Sequence, residues 1–236
     1  MFFIANHPIY NHPLPEGHRF PMLKYELLPK QLLHEGTAEC TDFYSPDSID
    51  LSLVHAVHTV SYVKALTELT LDAKAVRSIG FPLSAALVER ELRIAQGTVV
   101  GCNHALENGI AFNIAGGTHH AFSDRGEAFC LLNDQAIAAQ YLINQKKCHK
   151  ILIVDLDVHQ GNGTAEIFQN NADVITFSMH GQSNYPFRKE TSDYDIALPD
   201  KTDDTTYLSI LQETLPELLN IHRPDFVFYL AGVDIL

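Results

Sequence analysis

The chain has 236 residues, of which 46% are hydrophobic and 19% charged, and its formal charge at pH 7 is −13. Such a chain buries a real apolar core as one ordinary domain, or at most two small ones, and its composition excludes a disordered, collagen-like or disulfide-scaffold protein. A surface this acidic repels phosphate backbones, which argues against direct nucleic-acid binding. Cys40, Cys102, Cys130 and Cys148 are widely spaced and contain no C-x-x-C pair, so they read as free thiols of a reducing compartment. No apolar run approaches the ~20 residues of a membrane helix. The start, MFFIANHPIYNHP, lacks the basic region of a signal peptide. The expected location is cytoplasmic, with no membrane partner. The 13 histidines are the unusual feature of the composition.

In chain order, the first 50 residues are rich in Pro and His and read as loops around short helices. Residues 54–71 are expected to be helical, although their β-branched side chains weaken the pattern. Residues 83–106 carry helical apolar spacing, and Asn108-Gly109 stops that helix. An alternation follows. Strands are expected over 110–116, 150–158, 174–179 and 226–234, and helices over 133–147, from 163 onward, and over 203–222. No repeat or linker divides the chain, so it is read as a single domain over 1–236. Near-continuous apolar strands alternating with amphipathic helices indicate an α/β fold, an open parallel sheet with helices on both faces.

In such sheets, function collects beyond the carboxyl ends of the strands. Here those ends carry Gly116-Gly117-Thr118-His119-His120, then Asp155, Asp157 and His159, then His180, and finally Gly232 and Asp234. Along a regular strand, Asp155, Asp157 and His159 would share one face. Carboxylates and an imidazole gathered at a buried strand end call for a cation, and Asp and His donors suit zinc. Asp157, His159 and Asp234 form the expected set of three protein ligands, with one position kept for water. The tandem His119-His120, placed by two glycines, can hold and move protons near neutral pH. Asp155 and Asn162 are candidate acceptors that would orient these rings. His180 is a further candidate for the site lining. The histidines at 7, 12, 18, 34, 55, 58, 104, 149 and 222 are assigned to surface or loop roles.

The motifs G-G-T-H-H (116–120), A-F-C-L-L-N-D (128–134), D-L-D-V-H-Q-G-N-G (155–163) and A-G-V-D (231–234) together resemble the zinc-dependent histone deacetylase superfamily. H-Q-G-N-G, A-G-V-D-I-L and the early P-L-P-E-G-H-R-F-P-M-L-K-Y are most similar to class IV members and bacterial relatives. The resemblance implies the arginase–deacetylase type of fold and hydrolysis of an acyl-lysine amide, on a protein, a peptide or an acylated polyamine. It implies Zn2+, with Fe2+ as the alternative metal, on Asp157, His159 and Asp234. It makes His120 the general base, Asp155 the partner of His119 and Asn162 the partner of His120. It puts Phe129, Gly117 and Tyr185 along the substrate tunnel. It also implies a structural K+ held by Asp155 and Ser178, with main-chain carbonyls at Asp157, His159 and Met179.

Three departures stand out. Asn162 occupies a position where many members carry Asp, and a neutral amide stabilises a protonated histidine less. Ala128 replaces the Gly that usually precedes the tunnel Phe. The family's oxyanion tyrosine lies on a Gly-rich loop well downstream of the Asp234 position, and this sequence ends two residues after Asp234. The expectation is therefore a chain truncated at its C-terminal end, with a defective member as the alternative. Three other readings fit parts of the pattern. One is a zinc-holding acyl-lysine binder without turnover. The second is a metallophosphatase, for which no phosphate-holding cluster is evident. The third is a two-metal arginase-like hydrolase, which would want more carboxylates.

Overall fold

The computed structural model describes residues 2–232, and its contacts divide the chain into two compact units, Met1–Tyr141 and Leu142–Leu236. In the first unit, β1 (Ile4–Ala5), β2 (Phe43–Tyr44) and β3 (Phe112–Asn113) pair in parallel in the order β2-β1-β3. Its helices are α1 (Lys24–His34), α2 (Leu51–Val54), α3 (Val60–Thr67), α4 (Ala73–Ile79) and α5 (Ala85–Asn108). The division between the units falls inside α6 (Asp134–Asn144).

The longest of these helices, α5, follows the sequence expectation closely. The Ser84 hydroxyl accepts from Leu87 N at 3.1 Å and caps the start. Gly109, at φ 92°, closes the end with its N–H on the Ala105 carbonyl. Leu87, Val88, Ile94, Ala95, Val99 and Cys102 recur at helical spacing and are buried. Each fully buried Leu or Ile of this kind contributes roughly 1.5–3 kcal/mol.

Two expectations for this unit are corrected. The stretch 54–71 is not one helix: α2 ends at Val54, and α3 begins only at Val60. The break arises because Thr59 turns to cap α3, and the buried His58 between them is bonded to the chain at Phe122 and Asn133. The expected strand 110–116 contracts to the two residues of β3, because the Asn113 side chain bends the chain away. Its Nδ2 donates to the Ile94 carbonyl (2.8 Å) and to Thr98 Oγ1 (2.7 Å), and its Oδ1 accepts from Ala115 N (3.3 Å).

The second unit holds β4 (Ile151–Asp155), α7 (Asn162–Phe168), β5 (Val174–Gly181), β6 (Tyr194–Leu198), α8 (Asp204–His222) and β7 (Phe226–Leu230). The four strands form a parallel sheet in the order β6-β5-β4-β7. Both central strands are buried on both faces, as their unbroken apolar runs require. Leu152, Val154, Ile175, Phe177, Met179 and Leu198 form the core on one face, and Tyr207, Ile210, Leu211 and Leu215 of α8 pack against it. Asp203 caps α8 by accepting from Thr206 N at 2.8 Å. No described helix is long and apolar enough to cross a membrane, and all four cysteines are free thiols.

Candidate active site

In the first unit, the tandem histidines are set by a buried carboxylate. Asp134 Oδ1 accepts from Gly117 N (2.9 Å), Thr118 N (2.9 Å) and Thr118 Oγ1 (2.7 Å), and Oδ2 accepts from Thr98 Oγ1 (2.6 Å). This grip explains both glycines. A Cβ on Gly116 would lie 2.8 Å from Asp134 Oδ2, and Gly117 adopts the left-handed φ of 89°. His119 and His120 follow directly, both buried, with ring centroids 4.0 Å apart. The A-F-C-L-L-N-D motif was legible, but this role of its final Asp was not. In the sequence this Asp reads only as an ordinary helix cap, so nothing local marks it.

His58 and His12 lie in loops, one of the two roles expected of them, but both are buried rather than on the surface. His58 Nδ1 donates to the Phe122 carbonyl (2.8 Å), and Nε2 accepts from Asn133 N (3.0 Å). Burial, only partly offset by backbone hydrogen bonds, pushes its pKa down to about 4. A neutral His58 thus ties the loop after the tandem histidines to the start of α6.

Phe129 sits in an aromatic box. Phe20 and Phe81 have ring centroids 5.0 Å from it, His18 lies at 5.9 Å, and the Arg19 guanidinium is 5.0 Å above its face. Both Ala128 (φ 44°) and Phe129 (φ 69°) are left-handed. The geometry is held by Ala128 N on the Ser78 carbonyl (3.0 Å) and Phe129 N on the Ile79 carbonyl (2.6 Å). The position where a Gly was expected is therefore one whose backbone favours Gly.

In the second unit, Asp155, Asp157 and His159 come together by a different route from the one expected. Strand β4 ends at Asp155, so strand alternation does not align the three. Instead, each aspartate turns the chain by accepting the N–H two residues on: Asp157 N donates to Asp155 Oδ1 (3.0 Å), and His159 N donates to Asp157 Oδ1 (2.8 Å). The second turn folds His159 back, leaving its Nδ1 2.9 Å from Asp157 Oδ1. In a tetrahedral zinc site with bonds of about 2.0 Å, two donors sit about 3.3 Å apart. The Asp157–His159 pair is within a few tenths of an ångström of that spacing, and its oxygen and nitrogen donors suit the metal. A Cβ on Gly232 would collide with the Asp157 side chain, so the chain following β7 passes directly against this pair. Among the described residues, no group of three His, Cys, Asp or Glu side chains assembles. The expected third ligand, Asp234, lies outside the described residues.

The remaining expected residues of this unit line the same strand ends. Ser178 on β5 stands opposite Asp155 in the sheet register, and its Oγ lies 3.0 Å from His180 Nδ1. His180 belongs to β5 itself and is buried, and desolvation lowers its pKa. Asn162 is buried at the first turn of α7, with its Oδ1 accepting from Gly163 N at 3.1 Å. Tyr185 meets His159 edge-on, with ring centroids 6.4 Å apart at 63°. The expected site residues thus fall into two groups. His119, His120, Gly117 and Phe129 belong to the first unit, and Asp155, Asp157, His159, Asn162, Ser178 and Tyr185 to the second.

Comparison with known proteins identifies the family. Residues 18–236 match the histone deacetylase domain family. An uncharacterized protein of Picosynechococcus is 48% identical over 99% of this chain and 78% of its own length. Histone deacetylase 2 of Arabidopsis thaliana is 28% identical over 93% of this chain, which spans only 59% of that relative. A solved deacetylase homolog from Aquifex aeolicus superposes with a TM-score of 0.86 at 23% identity, over 100% of this chain and 69% of the other. The parallel sheets and helices described above therefore form the α/β fold of the arginase–deacetylase type, and the chain belongs to the histone deacetylase domain family.

Proposed function

We propose that the protein is a metal-dependent amidohydrolase that removes acetyl or longer acyl groups from acyl-lysine, in a protein or peptide, or from an acylated polyamine. The observation that carries this reading is the Asp157–His159 pair, turned toward one another at the end of a buried parallel strand at 2.9 Å. Asp157, His159 and Asp234 would hold the metal, with Zn2+ favoured over Fe2+ by the donor set. A bound zinc supplies a polarised carbonyl and a water acidic enough to attack it at neutral pH. His120 takes the proton of the attacking water and returns it to the departing amine. His119, its ring tilted at 43° beside that of His120, shares the proton, with Asp155 and Asn162 as the acceptors that orient the two rings. Phe129, Gly117 and Tyr185 line the path of the acyl chain. Asp155 and Ser178 would hold a structural K+.

The test is metal content together with turnover. Purified protein should carry about one transition-metal equivalent, absent from Asp157→Ala and His159→Ala. His120→Ala should keep the metal and lose about 10²–10⁴ of the deacetylation rate on an acetyl-lysine peptide, with His119→Ala milder. Full metal in both ligand variants would sink the ligand assignment. Equal small losses at the two histidines would make the pair structural.

A further inference from the structure

The loop between β5 and β6 carries Tyr185 and is fastened in a way that the catalytic reading does not use. The Lys189 ammonium donates to the carbonyls of Asn184 (2.7 Å), Pro186 (2.7 Å) and Gln182 (3.3 Å). A lysine ammonium has three donors and no acceptor capacity, so all three are committed to this one loop. Two of the three carbonyls belong to the residues immediately before and after Tyr185. The next residue is fastened as well. The Gln160 amide donates from Nε2 to the Glu190 carbonyl (2.8 Å) and accepts at Oε1 from Glu190 N (2.9 Å). Gln160 is fully buried, directly follows His159, and also donates to Asp195 Oδ1 at 2.8 Å. The circuit closes where it began, with Tyr185 edge-on to His159 at 6.4 Å.

We propose that Lys189 is a positioning residue which, with Gln160, holds Tyr185 against His159 and so fixes one wall for the acyl chain of the substrate. This rests on the acyl-lysine reading above. A surface lysine is ordinarily solvated and free to move, and nothing in a turn of this length requires an ammonium at its centre. Here, desolvation lowers the Lys189 pKa, as expected for an ammonium drawn from water onto carbonyls. Pro186 is the buried apolar residue of this loop and Phe187 beside it is 93% exposed, so apolar burial anchors one point and leaves the rest to hydrogen bonds. On either side of Tyr185 the backbone is fastened through Lys189.

The experiment compares the full chain with Lys189→Met, Tyr185→Ala and the double variant. Three quantities are measured: the dissociation constant of an alkyl hydroxamate that mimics acyl-lysine, KM and kcat on an acetyl-lysine peptide, and hydrogen exchange of the amides over 182–190. Lys189→Met should raise both Kd and KM about tenfold, the scale of one aromatic contact, and leave kcat within about twofold. Loop exchange should accelerate about tenfold or more. In the Tyr185→Ala background, adding Lys189→Met should cause no further loss of binding, because the lysine acts through the ring. The positioning role is overturned by unchanged loop exchange, by faster exchange with unchanged Kd and KM, or by losses that multiply in the double variant. A parent chain that binds no hydroxamate and turns over no peptide overturns the acyl-lysine reading instead, a separate result.

Discussion

Replacing Asp134 tests how the histidine pair is held. Its side chain is 1% exposed and accepts from two backbone N–H groups and two hydroxyls. In Asp134→Ala, both hydroxyls have other acceptors. Thr118 Oγ1 is 2.5 Å from the Leu132 carbonyl, and Thr98 Oγ1 is 3.4 Å from the Ile94 carbonyl. The N–H groups of Gly117 and Thr118 are left without their acceptor. The Thr118 N–H is buried and the Gly117 N–H half-buried; a buried orphan costs about 1–3 kcal/mol and a half-buried one less, so the substitution should destabilise by about 3 kcal/mol. Asp134→Asn keeps an oxygen for both N–H groups and turns its NH2 toward Thr98, whose hydroxyl can rotate to accept. That variant should lose only the charge assistance, about 1.5 kcal/mol. Urea unfolding, with the slope checked for constancy, gives both values. Turnover should fall in the same order, since His119 and His120 follow the held turn directly. Equal destabilisation by Ala and Asn would refute the bond-counting argument and leave the negative charge as what matters.

Two further outcomes follow from buried groups in the first unit. His58 has a folded pKa of about 4 against an unfolded value near 6.5, so the unfolded chain binds more protons between those values. Its contribution is fully present above pH 6.5 and is lost as pH falls toward 4. About 2 kcal/mol should disappear between pH 7 and pH 5, and His58→Gln should flatten that part of the profile; an unchanged profile would count against a neutral buried His58. Gly97→Ala would place a Cβ 2.8 Å from Ala5 Cβ and 2.9 Å from Tyr10 Oη. Overpacking of about 1–3 kcal/mol exceeds the roughly 1 kcal/mol gained in helix propensity, so the melting temperature should drop, and a rise would show that α5 can shift away from β1.

Much of this architecture is visible in residue patterns. The apolar runs of β4, β5 and β7 and the capped, periodic α5 and α8 are local features, written where they act. What escaped the sequence is long-range or polar. The alternation Asp155, Leu156, Asp157, Val158, His159 looks like a continuing strand, and only the carboxylates' bonds to N–H groups two residues on show that it is a pair of turns. β6, with only five residues and a half-exposed pattern, offers too little apolar contrast to stand out. The strand expected over 110–116 was cut short by Asn113, whose partners lie 15 and 19 residues earlier in α5. His58 is bound by groups 64 and 75 residues away, which no local pattern encodes. The candidate ligands Asp157 and His159 stand out because their chemistry is unusual for a strand end. Asp134 was missed because an Asp before a helix is ordinary.

On the role proposed for Phe129 in the acyl path, the two left-handed residues that present it set heat resistance against selectivity. Non-glycine residues in that conformation cost of order 1–3 kcal/mol each, so this short segment holds a reservoir of strain balanced by its hydrogen bonds and its ring of aromatic neighbours. A variant library screened for survival at high temperature would be drawn to Ala128→Gly, which relieves part of that strain at a single step. The same change loosens the hinge on which the Phe129 ring is mounted. Survivors of such a screen should then discriminate less sharply among acyl groups, so hardiness and discernment in this protein draw in opposite directions on one peptide unit.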